Sequence, residues 1–270
     1  DELARTFEKR YREEMAKLNV NGVNLFARAT DHMPEIIDQI QRLCHRNYGI
    51  GSDGLILLEE SQSADFDMQF FNPDGSSGMM CGNGGRCVVA FANNLNLFKE
   101  RCVFNAPDGL HKAELIDGQV RLQMIDTENP IVFSDGIYMN TGTSHFVCFV
   151  DDVDSIDVET LGRKLRFDER FTPYKGANVN FVSIEGENEI KIRTYERGVE
   201  AETLACGTGI TASAIAYSLN QNRPNGEYEI KINSKGGMLK VCFTKNANKF
   251  TQIWLQGGAD FVFEGEIEIS

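Results

Sequence analysis

Two short motifs of this 270-residue chain place a cysteine directly before a glycine-rich turn. They lie at residues 81–84 (Cys-Gly-Asn-Gly) and 206–209 (Cys-Gly-Thr-Gly), and an apolar run typical of a helix follows each of them. A thiol at the N-terminus of a helix faces free backbone N–H groups and the positive end of the helix dipole, so its pKa is expected to fall to roughly 3.5–7.5. The same N–H groups can bind a carboxylate without a side-chain cation.

Two such motifs around one pocket would suit inversion at a carbon atom next to a carboxylate. A carboxylate held between the two helix N-termini would place its α-carbon between the sulfur atoms of Cys81 and Cys206. One cysteine, as a thiolate, would remove the α-proton, and the other, as a thiol, would deliver a proton to the opposite face. The charge that develops on the carboxylate would meet preorganised N–H donors, each worth about 2.7–4 kcal/mol. This chemistry needs no metal and no pyridoxal phosphate, so no cofactor is expected.

Other interpretations of these residues are weaker. For either cysteine alone a structural role would be favoured, because a glycine-rich turn before a helix is common, but the duplication favours catalysis. Cys81 and Cys87 lack the spacing of zinc ligands and no second pair exists, so no metal site is expected. A dinucleotide-binding Gly-x-Gly-x-x-Gly pattern that starts at Gly207 fails at Ala212. Cys87 itself lies in the apolar run and is expected in the core.

Short patterns of strand and helix type surround both motifs. Apolar residues three or four apart indicate an amphipathic helix over residues 1–18, which could also support contacts in a homodimer, and a second helix begins at Pro34. Asp117-Gly118 and the segment around Gly186 indicate hairpin turns. Further helices are expected at 86–97, 158–165 and 210–219, and strands at 54–58, 66–70, 103–105, 112–115, 120–124, 137–140, 146–150, 179–184 and 189–195, with three more β patterns closing the chain.

The two halves of the chain repeat the same order of elements. Each half has strands, then a Cys-Gly-polar-Gly turn, then an apolar helix, then more strands. Duplication over so long a period predicts two pseudo-symmetric α/β domains rather than a solenoid. No low-complexity linker separates the halves, so the joint between them is expected to be packed.

Charge and composition exclude several classes of protein. The chain has 27 basic and 40 acidic residues, a formal net charge of -13 and a pI of about 4.8, which argues against nucleic-acid and membrane partners. Its longest apolar run, residues 87–92, is far shorter than the roughly 20 residues of a membrane span. Seven cysteines without any Cys-x-x-Cys indicate reduced thiols rather than a disulfide framework. With no signal-peptide pattern at its start, the chain is expected to be cytoplasmic.

Seven longer stretches carry a further signal: residues 48–55, 71–76, 80–87, 178–181, 195–209, 255–259 and 262–265. They resemble the diaminopimelate epimerase family, whose members interconvert LL- and meso-diaminopimelate without pyridoxal phosphate. The stretches follow the family's order, and the resemblance runs from about Leu43 to the C-terminus. Taken together they are highly specific, although each one alone would be weak.

The resemblance implies epimerisation of LL-diaminopimelate to meso-diaminopimelate, a reaction of lysine and peptidoglycan precursor biosynthesis on a small amino-acid substrate. Cys81 and Cys206 are then the acid/base pair, with roles that swap with the direction of the reaction. An arginine fork matches a carboxylate, and a glutamate accepts from an ammonium group. The implied substrate-binding residues are Gly82, Asn83, Gly207 and Thr208 at the reacting carboxylate, and Asn72, Asn178, Glu196 and Arg197 at the amino groups and the distal carboxylate.

The resemblance also implies an α/β (α+β) fold of two pseudo-symmetric domains, each a β-sheet or barrel wrapped around a central helix. The C-terminal strand of the family returns to the first domain. On that basis the domain with Cys81 comprises residues 1–126 and 261–270, and the domain with Cys206 comprises residues 127–260.

Two stretches depart from the family pattern. The family opens with a strand that carries Gly-Asn-Asp-Phe, whereas the nearest counterpart here is Gly-Val-Asn-Leu-Phe, which makes Asn24 the substitute candidate for substrate binding. Family members usually have Pro before the histidine that corresponds to His145, and many have Asn before that Pro; here Thr143 and Ser144 stand there. Thr143 can still donate or accept a hydrogen bond, but the loop lacks the rigidity of proline. His145 is expected to be a hydrogen-bonded structural residue rather than a base.

These departures leave two alternatives open. One is a racemase of another amino acid that uses the same two thiols, and the other is a catalytically silent amino-acid-binding protein. Glu196 and Arg197 could also simply pair with each other at the surface, and Asn72 could be a turn residue only. If the two sulfurs face each other closely, they are expected to form a disulfide on oxidation, so that activity would require a reductant.

Overall fold

Fifteen strands dominate the part of the chain that the computed structural model describes, residues 54–72, 75–78 and 81–262. Except for Gly54 and Gly75, these residues belong to one compact unit. The predicted helices over residues 1–18 and from Pro34 lie outside the described residues. The strands are β1 Leu55–Glu59, β2 Phe66–Phe71, β3 Arg101–Ala106, β4 Gly109–Ile116, β5 Gln119–Gln123, β6 Thr127–Glu128, β7 Ile131–Phe133, β8 Gly136–Asn140, β9 Ser144–Phe149, β10 Asn178–Gly186, β11 Glu189–Glu196, β12 Ala201–Thr203, β13 Gly226–Ser234, β14 Gly237–Asn246 and β15 Lys249–Gly257.

The strands form one continuous sheet that joins the two halves of the chain. Their order is β1-β2-β3-β4-β5-β15-β14-β13-β11-β10-β9-β8-β7, with β12 paired to β11 and β6 to β15. Most neighbours are antiparallel, but the pairs β2–β3, β9–β10 and β11–β13 are parallel. Strand β15 pairs with β5 in a register that places Leu255 opposite Leu122. A strand from the Cys206 half therefore closes onto the Cys81 half.

Within the described residues, three α-helices pack against the sheet: α1 (Gly82–Asn94), α2 (Val158–Arg166) and α3 (Gly207–Asn220). The bounds of α2 agree with the prediction, whereas α1 and α3 begin earlier, at the first glycine of each motif. Glycine has a low helix propensity, so the motif has the pattern of a turn, but tertiary contacts hold it in the first helical turn. Two short 3-10 helices, Val153–Ser155 and Glu169–Tyr174, flank α2. No helix in the described residues is long and apolar enough to cross a membrane.

Helix α3 lies at the centre of an apolar cluster that contains residues from β8 to β11 and from β13 to β15. It is apolar nearly all round, which is typical of a buried helix, and its buried positions run from Gly207 to Ser218 with the exception of Thr208. Buried hydroxyl groups donate to carbonyl oxygens of the same helix, as from Thr211 to Gly207 at 3.0 Å. These hydroxyl groups therefore keep a hydrogen-bond partner although they are buried.

Helix α1 is buried on one side only. Val88, Val89 and Ala92 pack into a second apolar cluster with residues of β2, β3, β4 and β5. The expectation that Cys87 lies in the core is wrong, because Cys87 is exposed, as is Phe91 one turn later. An unbroken apolar run does not reveal which side of a helix faces the core, since the neighbouring strands decide that side.

A third apolar cluster lies between α2 and strands β8 to β11, and it includes Phe146, Phe171 and Tyr195. The fold is mixed α+β and dominated by its sheet, which confirms the predicted class. The division of the chain into domains at residues 1–126 with 261–270 and at residues 127–260 stays a prediction.

Candidate active site

The N-termini of α1 and α3 meet. Cys81 and Cys206 are the N-cap residues of these helices, and both have extended backbone. The glycines that follow them touch, because a Cβ atom added to Gly207 would lie 3.0 Å from the Cα atom of Gly82. A Cβ atom on either glycine would also lie 3.0 Å from the side chain of Leu255 on β15. The structure therefore brings together the two motifs that the sequence predicts to share one pocket.

Cys81 is exposed, and its sulfur accepts a hydrogen bond of 3.3 Å from the backbone N–H of Gly84. The sulfur itself thus caps the first turn of α1. The neighbouring Asn83 donates from Nδ2 to the carbonyl oxygen of Ala205 at 3.3 Å. This hydrogen bond ties the first motif to the residue that precedes Cys206.

Arg86 also lies in this site, although the sequence analysis does not predict it as a site residue. It is buried, and its guanidinium donates to Oδ1 of Asn83 at 3.1 Å and to the carbonyl oxygens of Gly82 at 3.2 Å and Gly258 at 3.5 Å. Burial lowers the pKa of this guanidinium from its usual value. The side chain orients the first turn of α1 and links it to the segment after β15. The signal that could have found it is an arginine inside an otherwise uncharged helical run.

Cys206 is partly buried, and its side chain makes no capping hydrogen bond to α3. Its sulfur lies 3.4 Å from the hydroxyl oxygen of Thr208. Burial is the main cause that raises the pKa of Cys206 to about 11; the negative charge of Glu196 adds to it, and hydrogen bonds from Thr208 and the Gly209 N–H oppose it. The predicted fall in thiol pKa is therefore wrong for Cys206, because the loss of solvation outweighs the helix N-terminus.

A network of hydrogen bonds lies behind Thr208. Its Oγ1 atom is 2.9 Å from Nε2 of His145 and 3.2 Å from Oγ1 of Thr143, which lies 2.9 Å from the same nitrogen. His145 is fully buried, and this burial, together with the positive charge of Arg197, lowers its pKa to about 3. Its other ring nitrogen, Nδ1, lies 3.0 Å from Nδ2 of Asn180. His145 is thus a neutral, hydrogen-bonded interior residue, as expected.

Asn178 connects this network to Arg197. Its Nδ2 atom donates to Oγ1 of Thr143 at 3.2 Å and to the carbonyl oxygen of Ser144 at 3.0 Å. Its Oδ1 atom accepts from the backbone N–H of Arg197 at 2.8 Å. Because Asn178 is buried and both of its amide hydrogens are engaged, it orders the neighbouring loops.

The Arg197 side chain is anchored on backbone. Its Nη1 atom donates to the carbonyl oxygens of Tyr174 at 3.0 Å and Gly176 at 3.3 Å. A pair between Arg197 and Glu196 stays an open alternative. The Nε and Nη2 atoms of Arg197 have no hydrogen-bond partner within the described ranges. Glu196 lies close enough to Cys206 for its charge to raise the pKa of that thiol.

The remaining predicted positions are less informative. Asn72 lies in the turn after β2, where its Nδ2 atom donates to Oγ of Ser76 at 3.0 Å and its N–H to the carbonyl oxygen of the same residue at 2.8 Å. These contacts match a turn residue, and a role toward substrate stays a prediction. Asn24 lies outside the described residues. Over the described ranges, no group of three or more His, Cys, Asp or Glu side chains is arranged to hold a metal ion.

We expect a methyl group at Gly207 to lower the stability of the protein. Its Cβ atom would press at 3.0 Å on the Cα atom of Gly82, which is backbone and cannot rotate away. Overpacking of this kind costs about 1–3 kcal/mol, so the Gly207→Ala variant should show a free energy of unfolding reduced by that amount. Denaturant unfolding measures it. Gly258→Ala, where an added Cβ meets nothing within 4 Å, is the control; equal stability of the two variants would contradict the contact.

Residues 21–129 and 137–262 match the sequence model of the family described as diaminopimelate epimerase. A relative from Flavobacterium psychrophilum that is named diaminopimelate epimerase is 46% identical over 229 residues, which cover 84% of this chain and 88% of the relative. A relative of the same name from Aquifex aeolicus is 40% identical over 242 residues, which cover 85% of each chain. The similarity thus extends over most of both sequences.

Solved structures share the fold at low sequence identity. A phenazine biosynthesis protein of the PhzF family from Bacillus anthracis has a TM-score of 0.68 at 17% identity, over 86% of this chain and 89% of that one. A methylitaconate-delta-isomerase has a TM-score of 0.59 at 16% identity, over 88% of this chain and 89% of that one. At such identities the similarity shows the fold alone.

Proposed function

Because the chain belongs to the diaminopimelate epimerase family, we propose that it interconverts LL- and meso-diaminopimelate by proton transfer through two thiols. The observation that carries this proposal is the contact between Gly82 and Gly207, the residues that follow the N-cap thiols Cys81 and Cys206. The protein would then be an isomerase of lysine and peptidoglycan precursor biosynthesis. A cytoplasmic location and a homodimer stay predictions.

In this proposal the α-carboxylate of the substrate binds where the two helices begin. The backbone N–H groups of Gly82, Asn83, Gly207 and Thr208 are the donors, since the first turns of α1 and α3 have no intrahelical partner for them. Both helix dipoles favour an anion at this point. Negative charge spreads onto the carboxylate as the α-proton leaves, so donors that are already aligned stabilise the transition state.

Proton transfer then crosses from one face of the α-carbon to the other. Because burial raises the pKa of Cys206 to about 11, this thiol is protonated at neutral pH and suits the acid in one direction. Cys81, as the thiolate, takes the α-proton from the opposite face. The S–H bond of Cys206 breaks as the new C–H bond forms, and the two roles exchange for the other isomer.

The far end of the substrate would meet Arg197 and Glu196. The Nε and Nη2 atoms of Arg197, which have no hydrogen-bond partner among the described residues, suit the distal carboxylate, because a guanidinium binds a carboxylate through two parallel hydrogen bonds. Glu196 would accept from an ammonium group, and Asn178 would hold the backbone of Arg197 in place. An amino acid with a single carboxylate would offer no second carboxylate to the guanidinium of Arg197.

A racemase of another amino acid is the second candidate, because Thr143 and Ser144 replace residues common in the family and the hydroxyl of Thr143 lies 3.2 Å from that of Thr208. Such an enzyme would keep the two-thiol chemistry and differ only in its substrate. A silent binding protein would bind an amino acid without exchange of the α-proton.

Proton NMR of the reduced protein in D2O tests the proposal. We expect the α-proton signal to disappear with LL-diaminopimelate and to persist with L-lysine, L-glutamate and L-histidine. Exchange with one of the other amino acids alone would favour the racemase, and exchange with none would contradict the proposed function.

The Arg197→Leu variant tests how the far end is recognised. Loss of a charge-assisted hydrogen bond costs about 1.5–3 kcal/mol, so KM for diaminopimelate should rise about 10- to 100-fold. Steady-state kinetics with Arg101→Leu as the control measures this, because the Arg101 side chain is 80% exposed and lies on β3. An unchanged KM in the Arg197 variant would remove Arg197 from the substrate site.

A further inference from the structure

The geometry points to Asn180 as a positioning residue for Cys206. Asn180 acts on the Cys206 sulfur indirectly, through His145 and Thr208. Asn180 would fix the proton of His145 on Nε2, and His145 would in turn direct the hydroxyl hydrogen of Thr208 onto the sulfur. The inference rests on the proposed function only in taking Cys206 as a reacting thiol. Asn180 is not among the site residues that the sequence predicts.

Asn180 is held rigidly in the interior. It is fully buried on β10, and its Oδ1 atom accepts from the hydroxyl of Thr194 on β11 at 3.0 Å. A Cβ atom added to Gly209 in the first turn of α3 would lie 2.4 Å from this Oδ1 and 3.1 Å from Cε1 of His145. The start of α3 is therefore packed directly on the pair that Asn180 and His145 form.

The amide of Asn180 decides which nitrogen of His145 carries the proton. A neutral imidazole has one N–H group, and the nitrogen that accepts a hydrogen bond is the bare one. The Nδ2 atom of Asn180 donates to Nδ1 at 3.0 Å, so the proton belongs on Nε2. The low pKa of the buried ring, about 3, keeps a second proton off Nδ1 at neutral pH.

The proton on Nε2 faces two hydroxyl oxygens, those of Thr143 and Thr208, each 2.9 Å away. If Nε2 donates to Thr208, the hydroxyl hydrogen of Thr208 is directed away from the ring, where the Cys206 sulfur at 3.4 Å and the Thr143 hydroxyl at 3.2 Å can accept it. If Nε2 donates to Thr143, that hydroxyl can donate to Thr208 at 3.2 Å, and the Thr208 hydrogen then points to sulfur. The opposite tautomer would present a bare Nε2 that takes the hydrogen of Thr208 for itself.

A hydroxyl that donates to sulfur favours the thiolate of Cys206. The other groups that face this sulfur act in both directions, since the charges of Glu196 and Cys81 disfavour a thiolate and the N–H of Gly209 favours it. The network behind Thr208 therefore offsets part of the burial that disfavours the charged form. Its effect is needed whenever Cys206 acts as the base.

Alkylation of Cys206 measures this effect without any assay of activity. The initial rate of iodoacetamide labelling at a fixed pH, followed by mass spectrometry of the Cys206 peptide, reports the thiolate fraction. Asn180→Asp puts an acceptor against Nδ1 and so moves the proton there; we expect labelling about tenfold slower than in wild type. Thr208→Val, which lacks the hydroxyl, should slow labelling similarly, and Thr208→Ser should restore it.

The Asn180→Asp and Thr208→Val double variant separates the relay from other effects. If Asn180 acts through Thr208, the double variant labels as slowly as Thr208→Val alone, because the hydroxyl is already missing. A further tenfold loss in the double variant would mean that the new carboxylate acts on sulfur by its charge, and it would overturn the inference. The labelling rate of Cys81 in the same samples should stay within twofold of wild type.

Nitrogen-15 NMR of the wild-type protein tests the tautomer directly, whether or not the variants fold. The chain has four histidines, so labelled histidine gives few signals, and a His145→Gln variant assigns the buried one. A proton on Nε2 and a bare Nδ1 are expected, and a proton on Nδ1 would overturn the inference. The protein could lack epimerase activity and still show the expected tautomer and labelling rates. That result would refute the proposed function but not the inference about Asn180.

Discussion

Replacing Cys206 with alanine is expected to lower kcat for epimerisation by about 10²- to 10⁴-fold, the usual contribution of one positioned acid or base. The same loss is expected for Cys81→Ala, because inversion requires one group on each face of the α-carbon. Steady-state rates with LL- and meso-diaminopimelate measure both. Cys87→Ala and Cys242→Ala are the matched controls, since Cys87 lies on the exposed side of α1 and Cys242 lies on β14.

Exchange of the substrate α-proton for deuterium gives a more specific test of the same variants. A protein that keeps one thiol can still remove the α-proton facing it and return a deuteron to the same face. Each single variant should therefore exchange the α-proton of one isomer without inverting it, and the two variants should prefer opposite isomers. Full epimerase activity in either variant would refute the two-thiol mechanism.

Oxidation with diamide is expected to inactivate the enzyme as completely as loss of both thiols, by at least about 10²-fold, because a disulfide removes the acid and the base together. The thiols of Cys81 and Cys206 would each lose a hydrogen to diamide as the S–S bond forms. Their helices meet at adjacent glycines, which favours the short Cα separation that a disulfide requires. Dithiothreitol should restore the activity.

Peptide mass spectrometry checks this prediction, because the Cys81 and Cys206 peptides should become linked in step with the loss of activity. Disulfide formation starts from a thiolate, and burial raises the pKa of Cys206 to about 11, so the thiolate fraction of Cys206 grows as the pH rises from neutral toward 11. Inactivation should quicken in the same direction. Activity that is indifferent to diamide would contradict closely facing sulfurs.

The strands could be predicted because their signal is local. In β11, Ile190, Ile192 and Thr194 are buried while the residues between them are only partly buried, which is the alternation that the sequence displays. Such patterns, with the two helices that repeat after a cysteine, predict α/β domains, and the α/β (α+β) class rests on them together with the family resemblance. The sequence pattern predicts turns at the motif glycines, whereas the structure has them in helices. Local propensity carries no information about the partner backbone that keeps Gly82 and Gly207 helical.

The parts of the site that could not be predicted depend on contacts between distant residues. Nothing near Cys206 in the sequence indicates the burial that raises its pKa, and nothing near His145 indicates that Asn180 and Thr208 enclose it, because β9, β10 and α3 must first pack together. The exposed position of Cys87 is of the same kind, since it depends on which strands α1 meets. Residue types and spacing identify the candidate thiols, but the environment of each thiol is a property of the folded chain.

The direct meeting of α1 and α3 has an energetic consequence for the stability of the protein. Two like poles are forced against each other at Gly82 and Gly207, with no residue between them. This repulsion opposes the packing of the two helix N-termini against each other, and an anion between the poles would offset it. If the proposed function is right, a bound substrate carboxylate therefore raises the free energy of unfolding of the protein.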